Sequence, residues 1–157
     1  MRFSVDDQEL NDELTQLLNN VRPSARKRVA KEIALRIRGN RGGQIKKNVD
    51  PDFKKFEPRK PQNRKKTPKG LMFTKLSGKF KRLIFTEYSA SEALIGLRGK
   101  NVHILKTNQD GGEGVVNKYG TKVRYPERRL LGIGKTERII VRDAVTKELA
   151  KDTHLKG

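Results

Sequence analysis

Cysteine and tryptophan are absent, and only two histidines occur in the 157 residues. Without cysteine there is no disulfide, no thiolate ligand for zinc and no thiol nucleophile. His103 and His154 do not have metal-ligand spacing, and His154 falls in the tail. Apolar residues make up 33% and aromatics 6% of the chain, which is lean for a self-sufficient globule and predicts a small core with long polar extensions. No apolar run approaches the roughly 20 residues that cross a bilayer, so no membrane partner is expected. Met1 to Asp7 turns acidic where a secretory leader would turn apolar, which points to a soluble, unexported chain. Gly111-Gly112-Glu113-Gly114 has a loop's composition, but no lysine and Ser/Thr come after it in phosphate-loop register. Asp6, Asp7, Glu9, Asp12 and Glu13 read as one solvated helix face. No Ser, His and Asp constellation stands out, so neither catalysis nor a cofactor nor a metal is expected.

Positive charge is what the chain has in excess. Lys and Arg number 37 against 18 Asp and Glu, a formal +19, and such a charge draws polyanions or acidic protein surfaces. It is densest from Arg59 to Lys69, where Arg59, Lys60, Arg64, Lys65, Lys66 and Lys69 share eleven positions with two prolines and no aliphatic residue. That stretch cannot bury a core face. It reads either as a solvated linker or as an arm that binds DNA phosphates, docks on acidic partners or threads between subunits.

The length fits a single domain over 1–157, of α+β class. Leu10, Leu14, Leu17, Leu18 and Val21 recur at helical spacing on an acidic background, with Ser4 or Asp6 as cap. Pro23 and Ser24 open a basic second helix whose stripe is Val29, Ala30, Ile33, Ala34 and Ile37. The two form a helical hairpin within 4–50, their oppositely charged faces pairing with each other or between copies. Gly39, Gly42 and Gly43 predict fraying or a bend in the second helix. Asp50-Pro51-Asp52 is a turn, and Phe53 or Phe56 pins the next segment to the body. The basic arm occupies 51–70. A β-rich body with loops fills 71–134, beginning with a helix or turn at Leu71 to Leu76. Arg82 to Tyr88 and Ala93 to Leu97 read as an antiparallel hairpin, with Leu83 and Phe85 on one face or Ile84 and Tyr88 on the other. A short helix from Val102 ends before Asn108, and Asn108 to Gly112 is a loop. Gly114 to Val116 and Lys122 to Arg124 are two short strands. A final helix over 135–151 has Thr136 as N-cap and buries Ile140, Val141, Ala144, Val145 and Leu149.

Tyr125 to Ile133 organises the rest. Tyr125 is extended because proline disfavours helix in the residue before it. Leu130, Leu131 and Ile133 then form an apolar corner broken by Gly132 and Gly134, which feeds the last helix. Tyr125, Pro126, Arg128, Leu130, Leu131 and Gly132 are the candidate anchor and subunit-interface residues.

Several blocks, taken in order, resemble the phage virion morphogenesis family, the tail completion proteins of contractile-tailed phages. They are Asp50-Pro51-Asp52, Phe56-Glu57-Pro58-Arg59-Lys60-Pro61, Leu71-Met72-Phe73-Thr74-Lys75-Leu76, and Tyr125-Pro126 through Arg128, Leu130, Leu131, Gly132 and Ile133. Where the family often has His-Gln, one residue and glycine, this chain has Asn108-Gln109-Asp110-Gly111. The resemblance implies a structural virion protein of the neck or head-proximal tail end, made in the host cytoplasm, that completes the tail and enables head–tail joining. It implies a homo-oligomeric ring, of six by the usual symmetry of that junction. The neighbours it implies are the tail terminator, the tube and sheath ends and the head-closure or adaptor proteins, with DNA passing through the channel. Composition alone favours another class, a free nucleic-acid-binding protein of ribosomal or chromatin type. Against that class, no aromatics interleave with the Arg/Lys arm as stacking platforms.

Overall fold

The computed structural model describes residues 8–58, 72–73, 80–100, 102–115 and 119–154. Along them run α1 (Gln8–Leu18), α2 (Pro23–Lys46), α3 (Phe80–Leu83), β1 (Ile84–Tyr88), β2 (Ala93–Leu97), α4 (Val102–Asp110), β3 (Gly112–Val115), β4 (Lys122–Tyr125) and α5 (Lys135–His154). β1 pairs antiparallel with β2, Ile84 opposite Leu97 and Tyr88 opposite Ala93. β3 pairs antiparallel with β4, Gly112 opposite Tyr125. Helices beside two small antiparallel sheets make this an α+β fold, as the patterning predicts. Ser4 and Asp6, the arm residues Arg59, Lys60, Arg64, Lys65, Lys66 and Lys69, and nearly all of the expected 71–76 element lie outside the described residues.

The long helix α2 is the axis. Its Val29, Ile33 and Ile37 pack in one cluster with Leu10 of α1 and with Ile140, Val141, Ala144 and Val145 of α5. Further along the same helix, Ile45 enters a second cluster with Phe56, Met72, Ile84, Leu97, Leu105, Leu130 and Leu131. Ile95 of β2 touches both clusters. Burying a side chain of this size is worth about 1.5–3 kcal/mol, so the two clusters supply the drive to fold. Polar pairs set the register. Arg28 meets Glu148, Arg36 meets Asp143 at 2.6 Å and Asn40 meets Glu137 at 2.6 Å. The numbers rise along α2 as they fall along α5, so these helices are antiparallel.

Four expectations are corrected. The glycines do not fray α2, which runs unbroken through them to Lys46. A Cβ at Gly39 or Gly43 would meet nothing within 4 Å, so packing of the stripe carries the helix through them. The stop comes at Asn48, left-handed with φ 58°. Its N–H bonds the Ile45 carbonyl at 3.1 Å and the Val49 N–H bonds that of Gln44 at 3.1 Å, the Schellman arrangement of a helix C-terminus. The acidic face of α1 pairs with α5 through Glu13–Arg142 at 3.0 Å and Glu9–Arg138 at 3.9 Å. Asn108, Gln109 and Asp110 belong to α4 and Gly112 opens β3, so Gly111 alone joins the two. Thr136 lies inside the first turn of α5. The cap there is Gly134, whose carbonyl accepts from the Arg138 N–H at 3.1 Å and whose N–H donates to Glu137 at 3.1 Å, the reciprocal half of a capping box. On the first hairpin, Ile84 faces the core and Tyr88 is exposed, and Leu83 lies in the helical turn before the strand. Phe56 is the buried pin, edge-on to Phe73 at 5.7 Å, while Phe53 stays exposed.

Glu148 adds an acid-sensitive element. Burial pushes its carboxyl up, but hydrogen bonds from Arg28 and Lys151 outweigh that and hold it below the usual carboxylate range. A carboxylate depressed in the folded state stabilises above its unfolded pKa of about 4.3 and loses that contribution as pH falls through the folded value. Stability should therefore decline below pH of about 4.3, and Glu148→Gln should flatten that limb in melts across pH. An unchanged acid limb in the variant would contradict the assignment. Gly39→Ala should raise stability by roughly 0.5–1 kcal/mol, read as a higher urea midpoint at constant slope. A fall in midpoint would mean that the helix is strained there.

Candidate functional site: a polar clamp on the 125–134 segment

After β4 the chain turns inward without regular structure, and its backbone groups need partners. Tyr125 closes the β3–β4 pairing, and Glu127 crosses directly over Gly111. A side chain at Gly111 (φ 70°) would meet the Glu127 nitrogen at 3.0 Å. The Arg128 N–H then donates to the Asn108 carbonyl at 2.6 Å. Its guanidinium donates to Asn108 Oδ1 at 2.8 Å, to the Glu57 carbonyl at 2.9 Å and to the Pro58 carbonyl at 3.4 Å. Arg128 is 4% exposed, so this one side chain ties α4 to the entrance of the basic stretch.

Leu130 and Leu131 come next, each 2% exposed. The side-chain amide of Gln109 takes both backbone groups of Leu131, donating to its carbonyl at 3.0 Å and accepting from its N–H at 2.8 Å. The pair imitates one rung of a β-ladder. Arg41 reaches from α2 to the Leu130 carbonyl through Nε at 3.0 Å and Nη2 at 2.8 Å, and to the Arg129 carbonyl at 3.2 Å. Its remaining nitrogen, Nη1, donates to Gln44. Burial pushes the Arg41 guanidinium down to about 10, against the pull of Glu137 and Asp50, so it stays charged at neutral pH and its bonds are charge-assisted. Beyond it, Gly132 and Gly134 lie on Pro51. A Cβ on Gly134 would strike the Pro51 carbonyl. Arg129 closes the far side on Asp52 at 2.9 Å.

The Asp50-Pro51-Asp52, Phe56-Glu57-Pro58 and Tyr125–Ile133 blocks, distant in sequence, therefore meet at one place. Of the expected anchor residues, Arg128, Leu130, Leu131 and Gly132 are buried, while Tyr125 and Pro126 are half-buried at the entrance. The sequence reading missed Arg41, Asn108, Gln109 and Glu137. Arg41 was detectable, since it continues the apolar stripe one turn after Ile37 and a cation there needs buried acceptors. Among the described residues no group of His, Asp or Glu has the arrangement of a metal site, and His103 is exposed on α4. No helix of the described residues is long and apolar enough to cross a membrane.

Residues 5–150 match the phage virion morphogenesis family. The chain belongs to that family. It is 35% identical over 125 residues to tail completion protein S of Escherichia phage P2, covering 77% of this chain and 82% of the relative. No solved structure matches it. Asn108 accepts from the Arg128 guanidinium at 2.8 Å and, through Nδ2, donates to the Ile104 carbonyl at 2.9 Å.

Arg41→Ala would leave the buried Leu130 carbonyl without these donors. It should cost about 1–3 kcal/mol, seen as a lowered urea midpoint. A loss under about 1 kcal/mol would show that the clamp is not needed.

Proposed function

We propose that this chain is a structural protein of the phage virion, placed at the neck or head-proximal end of a contractile tail, where it completes the tail and prepares it to join a DNA-filled head. The observation that carries this reading is the match, over most of both chains, to a protein named for tail completion. The site agrees with it. The buried polar side chains of the clamp are spent on holding backbone, which makes a rigid corner and no reaction centre. The protein acts as a closed ring, of six copies by the symmetry of that junction, each subunit using one face against a different face of the next. The tail terminator, the tube and sheath ends and the head-closure or adaptor proteins are its neighbours. Arg59, Lys60, Arg64, Lys65, Lys66 and Lys69 dock on acidic partner surfaces or on DNA in the channel. Before incorporation the protein resides in the host cytoplasm.

Mixing filled heads with tails assembled without this chain tests the reading. Purified protein added to the mixture should restore joined, infectious particles, and gold-labelled copies should sit at the head-proximal tail end. Normal joining without the protein, or label along the whole tube, would contradict it. Steep weakening of a duplex-DNA complex with salt would assign the basic residues to phosphate contacts. Salt-insensitive behaviour would assign them to protein.

A further inference from the structure

Phe53 is 56% exposed, yet it is held firmly. Its backbone is left-handed, φ 63°, a conformation that costs a residue with a Cβ and persists only where its surroundings enforce it. The enforcement is visible. The Asp50 carboxylate accepts from the N–H groups of Asp52 at 2.8 Å and Lys54 at 2.9 Å. The Phe53 N–H donates to the Asp50 carbonyl at 3.1 Å, and the Asp50 N–H to that of Lys54 at 2.9 Å. Val49 bridges to Lys55, and Pro51 is wedged beneath Gly132 and Gly134. A phenyl ring is thus presented to solvent on a rigid turn, with exposed Lys54 and Lys55 beside it. Neither core cluster includes it.

The chain also carries a matching hollow. Leu10, Ile33, Ile37, Leu94, Ile133 and Val141, with Asn11, Arg41 and Glu92 among them, line a mostly apolar groove of about 130 Å³ between α1, α2, β2 and the corner. An apolar cavity of about 150 Å³ accepts a benzene ring, so one phenyl side chain suits this volume. Glu92, exposed beside the start of β2, also lines the groove, and its charge complements the Lys54 and Lys55 side of the Phe53 tip.

We infer that Phe53 of one copy inserts into the groove of the next, with Lys54 and Lys55 facing Glu92. In a ring each copy gives its knob to one neighbour and its hollow to the other, a heterologous contact. It rests on the ring reading above and names its interface. A rigid aromatic entering a desolvated pocket has the character of an interface hot spot.

Sedimentation and native mass measurement of the full chain test the contact, using two variants. Phe53→Gly removes the knob and suits the left-handed backbone, so its melting temperature should not fall. Ala93→Phe fills the groove and leaves the knob. Each should weaken self-association at least roughly 30-fold in Kd. An equal mixture should give one-to-one dimers and nothing larger, because each pair has a single working contact. Assembly unaffected by Phe53→Gly, or full rings from the mixture, would overturn this contact and leave the ring reading standing. Wild-type protein that stays monomeric at every concentration would overturn both.

Discussion

Irregular backbone inside a core must find donors for its carbonyls and acceptors for its amides, because water is not there to supply them. The segment from Arg128 to Gly134 meets this constraint with side chains. Gln109 substitutes for a neighbouring strand, Arg41 for a set of backbone donors, and Glu137 for the missing acceptor at the start of α5. The rest of the fold is arranged to bring these three to the same place. α2 must extend past its glycines to deliver Arg41, and α4 must continue to Asp110 to deliver Asn108 and Gln109. The Asp50 turn must fold back so that Pro51 can lie under the corner.

The same constraint joins the two hydrophobic clusters. Leu130 and Leu131 belong to one and Ile133 packs on the other, so the clamped backbone is a physical link between them. A lean core gains from such a link, since each cluster alone buries few large side chains. Exposed ion pairs add little to this, as each is worth about 0–1 kcal/mol. Their use is to fix which turn of α5 lies against which turn of α2. A corner held this way changes shape reluctantly, which suits the structural role proposed above.

Much of the fold was legible in the sequence. Helical spacing placed α1, α2 and α5, and β-branched and aromatic runs placed the first hairpin. The importance of the 125–133 stretch was also legible, from proline and glycine punctuation around a short apolar patch. What was hidden depends on tertiary contacts. Gly39 and Gly43 look like breakers until Val29, Ile33, Ile37 and Ile45 are seen to pack on both sides of them. Asn108, Gln109 and Asp110 look like a loop because their polar side chains favour one locally, yet two of them are buried as clamp residues. Thr136 looks like a cap, but Glu137 reaching back to Gly134 fills that role. The left-handed Phe53 gave no local signal, since a bulky residue is disfavoured there.

Native-state hydrogen exchange at the Leu131 amide tests the clamp most directly. That N–H has a side-chain acceptor only, in a segment with no regular structure, and would ordinarily exchange through local opening. If the clamp ties the two clusters together, Leu131 should exchange only through global unfolding, with the same denaturant dependence as Ile37 in α2. Exchange of Leu131 by a small opening, while α2 stays protected, would contradict the account.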